Sequence, residues 1–142
     1  MKGIVQAINE NTVKNITLNP FNVFIIIKPG FVKKSAAIID IFKRNGYTIA
    51  KYIARRLDYD LAKELYKMHS EESFYNDLCK YMSSDISVGY CLNYTGKGDP
   101  IEMTNKLKDE IREQFGKDEM RNAIHSSDSE ANTVREAKIY FK

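Results

Sequence analysis

Residues 22–30 read Asn-Val-Phe-Ile-Ile-Ile-Lys-Pro-Gly, and this stretch decides the fold. Its apolar residues 23–27 are all β-branched or aromatic, a composition typical of a buried strand. The dipeptide Pro29-Gly30 is a strong turn signal and ends the strand. The sequence therefore predicts a buried strand with Lys28 at its carboxyl end.

The segments that follow predict alternating helices and strands. Between Phe31 and Arg44 apolar residues recur at helical spacing, and Asn45-Gly46 ends that helix. Up to residue 100, the predicted elements are a strand over 47–57, helices over 59–69 and 72–82, a strand over 86–92 and a turn over 96–100. A helical region over 101–114 follows, and then a loop over 116–122 that leads into a short helical segment. The last two elements are a helix over 127–138, which starts with the capping box Ser127-x-x-Glu130, and a short strand over 139–141.

Without the extra helices this order is β-α-β-β-α-β, the ferredoxin-like plan. We therefore predict an α+β domain over residues 21–142, in which helices pack on an antiparallel sheet. Residues 1–20 carry Asn-Glu-Asn and Asn-Pro breakers and no sustained periodicity, so they are predicted to be an N-terminal extension.

Composition narrows the classes of partner. The 142 residues carry a net charge of only +3, too weak to indicate a nucleic-acid partner but suited to an anionic ligand where positive side chains converge. The longest apolar runs span a few residues, so no membrane span is expected, and the polar start is not a secretory signal. Cys79 and Cys91 have neither metal spacing nor a disulfide framework, which favours reduced thiols and a cytoplasmic location.

Residues 122–129, Asn-Ala-Ile-His-Ser-Ser-Asp-Ser, contain one of only two histidines in the chain. His125 has no partner at metal-ligand spacing, and no serine triad is apparent. Four other residues are of types that commonly bind phosphate, namely Lys28, Arg112, Arg121 and Asn122. A lone histidine is more often structural, so the residues alone indicate a phosphate or nucleotide site and leave the reaction open.

Together, the stretches at 22–30 and 122–129 resemble the nucleoside diphosphate kinase family. The family pattern around its nucleophile is Asn-x-x-His-Gly-Ser-Asp-Ser, and near its start it carries Ile-Lys-Pro-Asp-Gly-Val. Residues 65–82 resemble the family's helical hairpin, and residues 111–116 resemble its Ile-Arg-Gly-x-Phe-Gly segment. The resemblance runs from about residue 22 to residue 141.

The resemblance implies a ping-pong transfer of the γ-phosphate of a nucleoside triphosphate to a nucleoside diphosphate, through a phosphohistidine at His125. Mg²⁺ would bridge the nucleotide phosphates, with no protein metal ligand. The implied catalytic residues are His125, Lys28, Tyr66, Glu136 and Ser127.

Glu136 would hydrogen-bond the ring nitrogen opposite the reacting one, and Ser127 would support that geometry. The implied residues for nucleotide or phosphate binding are Lys28, Phe74, Leu78, Arg112 and Asn122.

The chain departs from the family in three places. Gly30-Phe31 replaces Asp-Gly, and Ser126 replaces the glycine after the histidine. The stretch between residues 92 and 111 is shorter than the family's phosphate-binding loop and has no clear counterpart for its arginine and threonine. By charge and type, Thr104, Lys106 or Lys108 could replace them, although a lysine is not the bidentate equal of an arginine.

These departures leave a second function open, a kinase-like nucleotide-binding module with weak or no catalysis. The family's C-terminal arm is not seen after residue 141. The resemblance implies nucleoside di- and triphosphates as ligands, and we expect a homo-oligomer, either a dimer or a hexamer.

Overall fold

The computed structural model describes residues 20–142, so the predicted N-terminal extension lies outside the described residues except for Pro20. The elements are β1 Val23–Ile27, α1 Ser35–Arg44, β2 Tyr47–Arg55, α2 Tyr59–Leu65, α3 Tyr75–Met82, β3 Ser87–Tyr94, α4 Pro100–Phe115, β4 Ile124–Ser126 and α5 Glu130–Tyr140. Two 3-10 turns lie at Val32–Lys34 and Lys67–His69. Within the described part of the chain, no helix has the length and apolar character needed to cross a membrane.

The four strands form one antiparallel sheet in the order β2-β3-β1-β4. β1 lies between β3 and β4, and all five of its residues are buried. This order and these pairings confirm the predicted ferredoxin-like βαββαβ plan, with helices packed on the sheet.

Two hydrophobic layers explain why β1 is apolar at every position. Residues 23, 25 and 27 contribute to a core that α1 and α4 cover, whereas Phe24 and Ile26 contribute to a second core covered by α2, α3 and α5. Successive side chains of a strand point to opposite faces, so a strand covered on both faces shows no polar alternation. Full burial of each isoleucine contributes roughly 1.5–3 kcal/mol, which makes β1 the anchor of both layers.

The predictions for the C-terminal third were partly wrong. The fourth strand is β4, at the position of the predicted short helical segment, and the predicted strand over 139–141 is instead the end of α5. A three-residue strand carries too little pattern to be recognised, and it exists because Ile124 pairs with Ile27 and Ser126 with Ile25. Ile139 and Tyr140 are buried because they lie on the packed face of α5.

The predicted capping box also shifts by two residues. α5 begins at Glu130, and the N-cap is Ser129, whose Oγ accepts a hydrogen bond of 3.1 Å from the Asn132 amide. Ser127 does not cap the helix because its hydroxyl donates to Glu136 Oε1 at 2.7 Å. The serine that resembled a cap therefore belongs to the cluster that Glu136 forms with His125.

Candidate active site

A cavity of about 430 Å³ opens beside the carboxyl end of β1. Seven of the residues implied by the resemblance line it, namely Lys28, Tyr66, Phe74, Leu78, Arg112, Asn122 and His125. Three further lining residues, which the sequence analysis did not single out for this site, are His69, Glu119 and Met120.

His125 lies in β4 opposite Ile26, and its ring is fixed by a carboxylate from α5. Its Nε2 is 2.7 Å from Oε1 of Glu136, and the same oxygen accepts the 2.7 Å hydrogen bond from Ser127. A carboxylate only accepts hydrogen bonds, so Nε2 carries the proton and Nδ1 keeps its lone pair. Within residues 20–142, Nδ1 has no hydrogen-bond partner.

The protonation state of His125 suits a nucleophile. Burial lowers the pKa of the imidazole, as do the positive charges of Lys28 and Lys108, while the hydrogen bond and charge of Glu136 oppose this. The pKa lies below the ordinary value of 6.5, so the ring is neutral at pH 7. Glu136 itself is 1% exposed and also lies 3.6 Å from the Arg135 guanidinium.

Lys28 supplies a buried cation at the same end of the cavity. Its Nζ donates to Oδ1 of Asn122 at 2.8 Å and to the Met120 carbonyl at 3.2 Å. The pKa of Lys28 falls to about 7, mainly because of burial, while the charges of Arg112 and Lys108 act in the same direction and that of Asp118 opposes them. Lys28 and Arg112 line this end of the cavity, and Lys108, which is not among the lining residues, acts on it through its charge, so an anionic ligand would relieve their mutual repulsion.

Arg112 ties α4 to the strand that carries the histidine. Its Nε and Nη2 both donate to the Ile124 carbonyl, at 3.1 and 2.9 Å. The planar guanidinium makes this two-point contact possible, and a lysine could not reproduce it. Nη1 makes no hydrogen bond within residues 20–142, so it remains available to a ligand.

Tyr66 lies against the nucleophile with its hydroxyl unpartnered. Its ring centroid is 5.2 Å from that of His125, in an edge-on arrangement. Among the described residues the buried hydroxyl finds no hydrogen-bond partner, and burial raises its pKa, so it stays protonated. An orphaned buried hydroxyl is costly, and an incoming ligand oxygen would satisfy it.

A series of rings leads from the nucleophile to the mouth of the cavity. The ring centroids of Tyr66 and His69 are 6.5 Å apart, and those of His69 and Phe74 are 5.5 Å apart. Phe74 is 42% exposed. Leu78, one turn further along α3, is buried beneath this end. The cavity therefore has a cationic end at His125 and an aromatic, apolar end at Phe74.

The structure does not bring Thr104 or Lys106 to this cavity. Thr104 faces the core, where its hydroxyl lies 2.8 Å from the Tyr47 hydroxyl, and Lys106 is exposed on α4. Burial of Leu107 against the sheet sets the rotation of the helix and directs these two side chains elsewhere. Lys108 is the residue whose charge acts on both Lys28 and His125, since it lies one turn before Arg112 on α4.

The substituted positions fit the local backbone. Ser126 lies in an extended strand, so a side chain there meets no conformational strain. The left-handed residue of this segment is Ala123, with a φ of 82°. In the Lys-Pro turn, Gly30 takes the left-handed conformation with a φ of 90°, and Phe31 is buried in the core.

The residues present suit a metal held by the ligand rather than by the protein. Among residues 20–142 no group of three histidine, cysteine or acidic side chains could hold a metal ion. Of the part of the chain that the structure describes, Glu119 is the one acidic side chain that lines the cavity. Mg²⁺ commonly binds through substrate phosphates and waters with few protein ligands, and that arrangement fits here.

Comparison with known proteins identifies the family of this chain. The family model for nucleoside diphosphate kinase matches residues 22–142. The chain is 36% identical over 125 residues to a nucleoside diphosphate kinase of Campylobacter curvus, covering 82% of this chain and 91% of that protein. It is 33% identical over 129 residues to the enzyme of Aquifex aeolicus, again covering 82% and 91%.

Solved structures give the same result. A crystal structure of the Aquifex aeolicus nucleoside diphosphate kinase matches with a TM-score of 0.75 and 31% identity, over 84% of this chain and 94% of that one. The apo enzyme of Encephalitozoon cuniculi, at 22% identity and a TM-score of 0.77, shows the same fold over 85% of this chain and 88% of its own. The chain therefore belongs to the nucleoside diphosphate kinase family, as its motifs predicted.

Proposed function

We propose that this chain transfers the γ-phosphate of a nucleoside triphosphate to a nucleoside diphosphate through a phosphohistidine formed at Nδ1 of His125. Family membership makes the chain a nucleoside diphosphate kinase, a phosphotransferase. The observation that carries the residue assignment is the 2.7 Å contact between Nε2 and Glu136. It leaves Nδ1 as the nucleophilic nitrogen beside a cluster of cations.

In the first half-reaction, the Nδ1 lone pair attacks the γ-phosphorus in line with the leaving oxygen. The bond from phosphorus to the β–γ bridging oxygen breaks, and the nucleoside diphosphate leaves with that electron pair. The ring gains positive charge, which the Glu136 carboxylate stabilises through the Nε2 proton. In the second half-reaction, a β-phosphate oxygen of another diphosphate attacks the phosphorus, the bond from phosphorus to Nδ1 breaks, and its electron pair returns to the ring, which is neutral again.

Charge neutralisation would come from the cationic end of the cavity. Phosphoryl transfer depends mainly on positioning and electrostatic stabilisation, so Lys28 and Arg112 would bind the transferring and leaving oxygens. The orphaned Tyr66 hydroxyl would donate to a phosphate oxygen beside His125. The charge of Lys108 would replace part of what the shortened loop lacks.

The other end of the cavity would hold the nucleoside. Asn122, which Lys28 holds at 2.8 Å, would bind the ribose hydroxyls, and the base would lie against Phe74 and Leu78. Stacking on an aromatic ring tolerates any base. Mg²⁺, bound through the nucleotide phosphates, would supply further charge neutralisation.

Isolation of the phosphoenzyme tests this assignment. We expect γ-labelled ATP with Mg²⁺ to give an acid-labile label that GDP, CDP or UDP removes as the triphosphate. His125→Ala should carry no label, and the matched control His69→Ala should be labelled to the same stoichiometry at saturating ATP. Label retained in His125→Ala would refute His125 as the nucleophile.

The same experiment decides the second candidate, a nucleotide-binding module with weak or no catalysis. The observation that favours it is the placement of Thr104 and Lys106 away from the cavity, which leaves the missing loop arginine without a bidentate replacement. That candidate predicts that wild-type protein binds nucleotides, measured by calorimetry, and yet acquires no label.

We also propose that the protein is a cytoplasmic homo-oligomer, a dimer or a hexamer. Tyr52 and Ile53, on the edge strand β2, are 62% and 41% exposed, which supports contact with another copy. The unpaired cysteines Cys79 and Cys91 are buried and suit a reducing compartment. Light scattering after size-exclusion chromatography measures the assembly, and a monomer at micromolar concentration would contradict it.

A further inference from the structure

One side chain in the cavity does not fit a purely phosphate-binding role. Among the described residues that line the cavity, Glu119 is the one acidic residue, and the others are cationic, apolar or neutral. Within residues 20–142 its carboxylate makes no hydrogen bond and no ion pair. Glu119 is exposed, so its carboxylate is open to accept hydrogen bonds from a ligand that enters the cavity.

The backbone around Glu119 is held firmly in place. Its carbonyl accepts a 2.8 Å hydrogen bond from Nδ2 of Asn122, and the carbonyl of the next residue, Met120, accepts one from Lys28. Asn122 and Lys28 thus tether both residues of this loop to the cavity. The backbone that carries the Glu119 side chain is therefore fixed beside the cavity.

Repulsion between like charges favours the apolar end of the cavity for the Glu119 carboxylate. The phosphates occupy the end formed by His125 and the cations, where a second anion would repel them. Met120 packs against the core cluster that contains Leu78, and both residues line the cavity. Phe74 and Leu78, the proposed surface for the base, line the same cavity as Glu119, so a bound base would share that cavity with the carboxylate.

We infer that Glu119 is a specificity-determining residue that makes the site favour guanine nucleotides by accepting the N1–H and N2–H donors of guanine. This inference rests on the nucleotide site proposed above. The two carboxylate oxygens match two adjacent N–H donors, and guanine alone among the common bases offers such a pair on its Watson–Crick edge.

The other bases offer fewer hydrogen-bond donors to a carboxylate. Adenine and cytosine each present one amino group beside a ring-nitrogen acceptor, which repels the second carboxylate oxygen. Uracil and thymine present a single N–H between two carbonyl oxygens. Paired recognition of a base edge discriminates on the order of ten-fold or more, so the expected order of affinity puts GDP first and UDP last.

Equilibrium binding of GDP and UDP to the full chain tests the inference, because binding does not depend on catalysis. We expect wild-type protein to bind GDP about ten-fold more tightly than UDP. Glu119→Ala should bring that ratio close to one, chiefly through weaker GDP binding, and Glu119→Gln should fall between them. The matched control Glu110→Ala removes an exposed carboxylate of α4 that does not line this cavity, and it should keep the wild-type ratio.

The outcomes separate this inference from the proposed function. A GDP-to-UDP ratio that Glu119→Ala leaves unchanged, or a wild-type ratio near one, overturns the role of Glu119 while phosphoenzyme formation still supports the kinase. If wild-type protein binds neither GDP nor UDP, that result would instead overturn the nucleotide site itself. A ratio that falls in Glu119→Ala and stays constant in Glu110→Ala supports the inference.

Discussion

We expect the buried charge of Lys28 to lower the stability of the folded chain while it serves phosphoryl transfer. Replacing Lys28 with methionine tests both effects. Lys28 is 4% exposed, and its pKa falls from 10.5 to about 7, mainly through burial and then through Arg112 and Lys108. Between these two pKa values the unfolded chain binds a proton that the folded chain does not. The contribution of Lys28 to the free energy of unfolding therefore rises with pH through this window and is most unfavourable below pH 7.

The magnitude follows from the size of the pKa shift. At about 1.36 kcal/mol per pKa unit, the lysine costs about 4 kcal/mol at pH 7 and about 2 kcal/mol at pH 9, relative to a neutral side chain. Methionine of similar length avoids this cost but leaves Asn122 Oδ1 and the Met120 carbonyl without their donor, at about 1–2 kcal/mol. Lys28→Met should therefore be about 2–3 kcal/mol more stable than wild type at pH 7 and close to wild type at pH 9.

Urea unfolding of both proteins at pH 7 and pH 9 measures these differences, and a coupled assay measures phosphoryl transfer. We expect the variant to lose transfer by roughly a hundred-fold or more, because a preorganised cation is missing. Lys106→Met, at an exposed position of α4, is the matched control and should change stability by less than about 0.5 kcal/mol at either pH. A variant less stable at pH 7, or a gain that does not shrink at pH 9, would refute this account of Lys28.

Three further substitutions test the rest of the site. Tyr66→Phe removes an unpartnered buried hydroxyl, so thermal unfolding should show a gain of about 1 kcal/mol while transfer slows; a less stable variant would mean that the hydroxyl is already satisfied. Glu136→Gln replaces the carboxylate that contacts His125 Nε2 with a neutral acceptor. Stopped-flow measurement should then show phosphoenzyme formation about ten-fold slower, and an unchanged rate would mean that this hydrogen bond does not contribute to catalysis. Arg112→Lys cannot make both hydrogen bonds to the Ile124 carbonyl, so kcat/KM for ATP should fall at least ten-fold, and full activity would show that charge alone suffices.

Much of the fold was predictable because its signals are local. The uninterrupted apolar run of β1, the turn at Pro29-Gly30 and the helical spacing in α1 each follow from backbone preferences and burial. β4 could not be predicted from its own residues, because Ile124 to Ser126 become a strand only through pairing with β1. The apolar run at 139–141 indicated a strand because the packed face of α5 ends in consecutive buried residues.

The same distinction between local signals and tertiary packing applies to the residues of the site. The motif residues were identified by type and order, and the structure brings Lys28, Tyr66, Arg112 and His125 to one cavity. The replacements for the missing loop residues depended on the rotation of α4, which tertiary packing determines and local sequence does not. Glu119 carried no signal at all, because a glutamate in a charged loop is typical of a solvated surface.

The position of the phosphoryl group on the His125 ring is the most direct test of the central claim. Phosphorus NMR of the phosphoenzyme, combined with mass spectrometry of the labelled peptide, distinguishes phosphorylation at Nδ1 from phosphorylation at Nε2. Because Glu136 holds Nε2 at 2.7 Å, the account predicts a single species phosphorylated at Nδ1. A phosphoryl group on Nε2, or on any residue other than His125, would contradict it.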